Sequence, residues 1–273
     1  MKRYSVGTGA LEGVMILIAL AFLFPIYILV NLSLRPVTDL SSPLVPTKDV
    51  TFDNFGLAWV QAGIGGAIVN SAIVTTASVL LIVIFSSLAA YGIVRATARW
   101  SPLAFYGFMV GLLVPFQLGL VPLYTTMKNL GLLGTLIPLV IIYVGMRMPF
   151  SIFLYAQFMR QVPIDYEEAA ALDGAGPLRS FVRVVFPMVR PATGTVIILN
   201  GLFAWNDFLT PLLYLSGTGN ATIPVTIYNF VGEYVTQWPL VFAALIMGAI
   251  PVLVAFFFIQ RSLLQGLASG VKG

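Results

Sequence analysis

Pro163-Ile164-Asp165-Tyr166-Glu167-Glu168-Ala169-Ala170-Ala171-Leu172-Asp173-Gly174 gathers charge, proline, glycine and alanine into one short stretch. The pattern is that of a small, well-capped helix. Pro163 suits a first turn, Asp165, Glu167 and Glu168 complement the positive end of the helix dipole, and Gly174 fits a left-handed C-cap. Ala169, Ala170 and Ala171 add helix propensity and a low surface that another protein can approach closely. A small apolar surface edged by charges can dock rigidly on another protein, and the same pattern would equally make an ordinary capped helix in a loop. A second segment follows the turn Gly174-Ala175-Gly176-Pro177, with Arg179 and Arg183 spaced i to i+4. Pro187 is expected to end it before Pro191 opens the next element.

Two further groups carry polar chemistry inside apolar sequence. Asn200, Trp205, Asn206 and Asp207 offer hydrogen-bond acceptors and an aromatic face, which suit a sugar's hydroxyls and its apolar ring face. The same residues would equally tie a helix end to its neighbours. Arg147 interrupts another apolar run beside Met148-Pro149, where a kink frees backbone carbonyls that a guanidinium could bond. It fits either a cavity or subunit interface, or internal pairing. The chain has neither Cys nor His, which removes the usual ligands for zinc, iron–sulfur and haem sites and any Cys-His or Ser-His catalytic pair. No metal site is expected.

The elements that must position these residues are membrane spans. Hydrophobic residues make up 59% of the chain and charged residues 9%, against roughly 25% charged in soluble domains, so lipid is the expected solvent. A helix needs about 20 apolar residues to cross the hydrocarbon core. Six stretches qualify, near Gly13 to Leu32, Ala67 to Val94, Leu103 to Tyr124, Leu136 to Phe158, Ala192 to Tyr214 and Pro239 to Ile259. The first is read as an uncleaved span rather than a signal peptide, because it is long and lacks a small-x-small exit.

With the N-terminus inside, ten basic residues fall in cytoplasmic segments: Lys2, Arg3, Arg95, Arg99, Arg160, Arg179, Arg183, Arg190, Arg261 and Lys272. Three fall outside, Arg35, Lys48 and Lys128. That bias places both termini and the 160–190 loop in the cytoplasm. The expected organisation is a first span with an external segment (1–66), a five-span core (67–262) and a cytoplasmic tail (263–273). Outside, Phe52, Phe55 and Trp59 suggest a short interfacial helix, and Tyr228, Phe230, Tyr234 and Trp238 suit a second membrane–water boundary. The scattered basic residues and a net charge of +4 give no nucleic-acid footprint.

At Glu168, Ala169, Ala170, Gly174 and Pro187 the sequence resembles the inner-membrane components of bacterial binding-protein-dependent ABC importers. Their signature is Glu-Ala-Ala, three residues, Gly, nine residues, then Ile-x-Leu-Pro. Val184 and Phe186 stand where Ile and Leu are usual, and both keep an apolar side chain. Ala204-Trp205-Asn206-Asp207-Phe208-Leu209, the Ala171-Leu172-Asp173-Gly174 continuation and the Gly266 to Gly273 tail resemble the carbohydrate importers, most of all the maltose-type subunit.

The resemblance implies an all-α, six-span type I importer fold in a bacterial inner membrane, and a coupling helix at Glu168 to Gly174 that inserts into a nucleotide-binding subunit. It implies a dimer of ATP-binding subunits that hold ATP and Mg, a second homologous permease, and an external solute-binding protein. This chain itself would hold no cofactor and catalyse nothing: it lacks a G-x-x-x-x-G-K-[ST] phosphate loop. A secondary transporter or channel would show an ionisable relay near the midplane, where only Arg147 stands. An intramembrane enzyme would need His, Cys or paired carboxylates there.

Overall fold

The computed structural model describes residues 6–233 and 237–270, and all the regular structure among them is helical. The order is α1 (Val6–Ser33), α2 (Asp53–Gln61), α3 (Ile64–Arg95), α4 (Trp100–Leu113), α5 (Leu120–Asn129) and α6 (Ile137–Arg160). There follow α7 (Asp165–Leu172), α8 (Pro177–Ser180), α9 (Phe186–Met188), α10 (Arg190–Asn206), α11 (Leu209–Leu215), α12 (Ile223–Glu233) and α13 (Trp238–Gly270). A 3-10 turn at Phe116–Gly119 precedes α5, and a π turn at Phe181–Val185 joins α8 to α9.

Among the described residues four helices are long and apolar enough to cross a membrane: Gly9–Ser33, Ile64–Arg95, Ile137–Arg160 and Trp238–Ala255. Two bent pairs bring the number to six when each pair is one span. Tyr234 and the basic residues Lys2, Arg3 and Lys272 lie outside the described residues.

The third and fifth spans differ from the uninterrupted runs expected. Instead of one helix from Leu103 to Tyr124, α4 stops at Leu113 and the segment 116–129 leaves it at 88°. Val114 and Pro115 are extended there, with ψ of 116° and 122°. A proline disfavours helical geometry in the residue before it. Instead of running from Ala192 to Tyr214, the fifth span ends at Asn206, with Asp207 extended at ψ 128° and α11 restarting at Leu209. Pro211 accounts for the position of this break, because in a continuous helix its ring would clash with the carbonyl of Asp207.

Two compact units divide the chain, 1–65 with 226–250, and 66–225 with 251–273. In the first unit, three buried side chains fold the segment after α1. Asn31 donates from Nδ2 to the carbonyls of Pro43 and Val45, both at 2.9 Å, and accepts the Thr47 amide at 2.9 Å. Arg35 donates from Nη1 to Ser41 O (2.6 Å) and from Nη2 to Val45 O (2.6 Å). Asn54, on α2, donates to the carbonyls of Ser33 and Arg35 at 2.8 Å each.

Asn54→Ala would leave both carbonyls buried without a donor, at a cost of about 1–3 kcal/mol. Proteolysis of the 36–50 segment in detergent is expected to accelerate severalfold. Phe52, just before α2, and Trp59 are exposed, and Phe55 is half-buried.

In the second unit two apolar clusters position the functional residues. One joins Ile82 and Ala90 of α3 to Phe105 of α4, Ile152, Tyr155 and Met159 of α6, Phe181 and Val185 of the π turn, and Val196 of α10. The other joins Val74 of α3, Met127 of α5, Leu139 and Tyr143 of α6, Ala204 of α10, and Tyr214 and Leu215. Helix α6 belongs to both, so its two ends are fixed independently.

Candidate functional site

Helix α7 covers Asp165–Leu172, with Asp165, Glu167 and Glu168 in its first turn. No side chain caps it. The Ile164 carbonyl instead accepts from the amides of Glu167 (2.8 Å) and Glu168 (3.0 Å). At its end the Gly174 amide bonds Ala171 O and the Ala175 amide bonds Ala170 O, both at 2.9 Å, while Gly174 adopts φ +81°. That is a Schellman closure, which needs a left-handed residue at the position Gly174 holds. Nothing lies within 4 Å of where a Cβ on Gly174 would sit, so only backbone strain opposes a substitution. Gly174→Ala is expected to cost about 1 kcal/mol and Gly174→Val more. Amide exchange at 174 and 175 in Gly174→Ala should quicken about fivefold.

The second loop helix ends one residue past Pro187, at Met188, and closes at Val189, before Pro191. A proline has no N–H and crowds the carbonyl four residues earlier, here that of Arg183. The π turn at Phe181–Val185 widens the path around that carbonyl and lets the helix continue. Pro187 is half-buried and Val185 fully buried. The break comes at 77° between 177–188 and α10, with Pro191 in the first turn of α10.

Glu167 and Glu168 separate into different roles. Arg95, in the last turn of α3, donates from Nε to Glu167 Oε1 at 2.6 Å and from Nη2 to Val162 O at 2.9 Å. Tyr91, one turn earlier, donates from its hydroxyl to Glu167 Oε2 at 2.6 Å. Both oxygens of Glu167 are therefore held by the end of α3. The ion pair is largely removed from water, with side chains 17% and 11% exposed. The Tyr91 ring also packs on Phe181 at 5.0 Å, and Phe181 on Phe186 at 5.7 Å, so one span end grips both loop helices.

Tyr91 and Arg95 were not singled out as site residues from the sequence, where Arg95 served only to report topology. The readable signal was a Tyr and an Arg at i, i+4 closing a span, opposite a loop with adjacent glutamates.

The other loop residues face outward. Glu168, Ala169 and Asp173 are exposed and Ala170 is half-buried. Around them stand exposed apolar side chains: Ile164, Tyr166, Leu178, Val182 and above all Leu172, at 91%. Arg179 and Arg183 are exposed and form no ion pair among the described residues. This is a low apolar ridge with charged edges, on a helix anchored from behind.

The intramembrane group resolves into two links between α6 and α10. Tyr143 donates to Asp207 Oδ2 at 2.8 Å, which ties the end of α10 to its neighbour. Arg147 donates from Nε to Asn200 Oδ1 at 2.8 Å, and Asn200 donates from Nδ2 to Ser151 Oγ (3.1 Å) and Val196 O (2.8 Å). Asn206 is exposed and donates to Leu202 O on its own helix at 2.8 Å. Trp205 is buried and lines a largely apolar cavity of about 510 Å³ with Thr75, Val79, Gly201 and Pro251. The structure thus brings Arg147 and Asn200 together and gives Trp205 and Asn206 other surroundings.

Residues 82–268 match the family described as binding-protein-dependent transport system inner membrane component. The chain is 36% identical over 259 residues to the melibiose/raffinose/stachyose import permease protein of Bacillus subtilis, covering 94% of each. It is 31% identical over 271 residues to the probable starch degradation products transport system permease protein of Thermoanaerobacterium thermosulfurigenes, covering 99% of this chain and 98% of that one. In fold it is similar to a chain of a bacterial ABC transporter involved in the import of the acidic polysaccharide alginate. There the TM-score is 0.79 and the identity 23%, over 96% of this chain and 99% of the other.

Proposed function

Because the chain belongs to the family of binding-protein-dependent transport system inner membrane components, we propose that it carries an oligosaccharide and is driven by a dimer of separate ATP-binding subunits. Those subunits hold the ATP and Mg. A second, homologous permease completes the pathway, and an external binding protein delivers the solute. Both termini and the 160–190 loop lie in the cytoplasm, which the excess of Lys and Arg on that side supports. The multi-pass chain sits in a bacterial inner membrane, with the first span and external segment (1–66), the five-span core (67–262) and the tail (263–273) as its working parts.

The observation that carries this reading is the division of labour in α7. Glu167 locks the helix to α3 from behind, and Glu168, Ala169, Ala170, Leu172 and Asp173 are left on the face that meets the ATPase. Gly174 sets the turn and Pro187 shapes the helix that relays motion to α10. Closure of the ATPase on α7 therefore pulls on two spans at once. Of the residues expected along the pathway, Asn200 and Asp207 position α6 against α10, and Trp205 and Asn206 border it. Sugar import by the two relatives supports the oligosaccharide class.

The test is reconstitution with the ATPase, the second permease and the binding protein, using raffinose as probe. Glu168→Ala and Gly174→Val are each expected to reduce raffinose-stimulated ATP hydrolysis severalfold. Stimulation equal to wild type in both variants would sink the coupling assignment.

A further inference from the structure

Arg147 carries a charge that the described part of this chain does not neutralise. It is the eleventh of the 24 residues of α6, roughly 15 Å along the helix and so near the middle of the bilayer. The ion pairs among the described residues are Arg35 with Asp39 and Arg95 with Glu167. Asp207, the acid just past the end of α10, takes the Tyr143 hydroxyl instead.

Neutral groups hold the guanidinium in one orientation. Its Nε is fixed by Asn200 Oδ1, Asn200 Nδ2 donates to Ser151 Oγ, and Ser151 Oγ donates back to the Arg147 carbonyl at 3.0 Å, closing a ring. The guanidinium carbon lies 4.6 Å from the centre of the Phe203 ring and 5.6 Å from that of Phe150. Phe203 is in turn braced edge-on by Tyr143. The terminal nitrogens Nη1 and Nη2 have no hydrogen-bond partner among the described residues, and neither is a buried unsatisfied atom. Both remain accessible.

A cation at this depth cannot face lipid without a cost of about 3 kcal/mol or more on insertion scales. An arginine whose only task was to disappear would be paired with a carboxylate. Here the charge is kept, oriented and left with four N–H groups in a planar fork, the geometry that matches two oxygens side by side.

We propose that Arg147 is a solute-binding residue of the translocation pathway, donating from Nη1 and Nη2 to a pair of adjacent oxygens on a passing saccharide. Two saccharide groups present such a pair, vicinal ring hydroxyls and a uronate carboxylate. Phe150 and Phe203 supply the apolar wall beside it, and Asn200 is its positioning residue. The inference rests on the import reading given above, and adds that this subunit itself touches the solute.

The test uses the purified complete complex without binding protein, with equilibrium binding of radiolabelled raffinose and of trigalacturonate. The wild type is expected to bind one of them saturably, raffinose if hydroxyl pairs are read and trigalacturonate if carboxylates are. Arg147→Lys keeps the charge but loses the fork and should weaken that binding at least tenfold. Arg147→Met should abolish it, and Asn200→Leu should fall between. Binding of neither sugar by the wild type, or equal binding by wild type and Arg147→Lys, overturns the proposal. Loss of the second permease from the purified Arg147→Lys and Arg147→Met complexes also overturns it, because Arg147 would then be paired across the subunit interface. ATP-driven uptake, by the wild type with binding protein present, of whichever sugar binds is measured alongside: its absence counts against the import reading, and its presence with unchanged binding in the variants counts only against Arg147.

Discussion

Glu167→Ala is expected to lower ATP-driven uptake by the complete importer at least tenfold, a larger effect than that of Glu168→Ala beside it. The substitution strands Arg95 and Tyr91, whose donors both end on this carboxylate at 2.6 Å. Removing one partner of a fully buried pair costs about 3–5 kcal/mol. With side chains still 17% and 11% exposed, water recovers part of that, and about 2 kcal/mol is the appropriate magnitude. That corresponds to about a thirtyfold drop in the equilibrium constant for docking of α7 on α3.

Glu167→Gln should be milder, because an amide oxygen still accepts from one donor while its NH2 opposes the other. Arg95→Ala combined with Glu167→Ala should be less impaired than the sum of the single variants, and a double-mutant cycle on uptake rates measures the difference. Strict additivity would show that the two residues act apart.

Leu172→Glu is expected to release the ATPase. Leu172 is 91% exposed at the end of α7, where a leucine gains nothing from the fold of this chain. In the proposed coupling it is buried in the partner's cleft. Anchors of this kind cost about 2–4 kcal/mol when lost, and a carboxylate adds desolvation in an apolar contact. A thirtyfold or greater drop in affinity should appear as loss of the ATPase on size-exclusion chromatography in detergent. The fold of the permease should be unaffected, because nothing in it rests on this side chain. Leu172→Met, which conserves volume and polarity, should retain the ATPase.

Local chemistry was legible in the sequence where the structure is itself local. The polarity of α7 and the left-handed turn at Gly174 depend on residues within a few positions of each other, and both stand where the sequence puts them. The apolar runs located the spans, but their length concealed the breaks. Pro115 and Pro211 were visible signals, and hydropathy averaged over about 20 residues outweighs one proline.

Glu167 shows the limit of local reading most clearly. Beside Glu168 in sequence, it differs only in facing Arg95, 72 residues away, and no local pattern encodes that separation. The same holds for Arg147 and Asn200, 53 residues apart. Each was recognisable as a polar residue needing a partner inside a span, and the partner's identity came only with the packing of α6 against α10.

The central claim is that this chain moves solute only when ATPase subunits act on its cytoplasmic loop. Raffinose uptake into proteoliposomes measures it directly, with the chain and the second permease in the membrane, the ATPase and ATP inside, and loaded binding protein outside. Uptake is expected when all are present, and none is expected when ATP or the ATPase is omitted or when Leu172→Glu replaces the wild type. Uptake at the full rate by the permease chains alone, without ATP, would contradict the account.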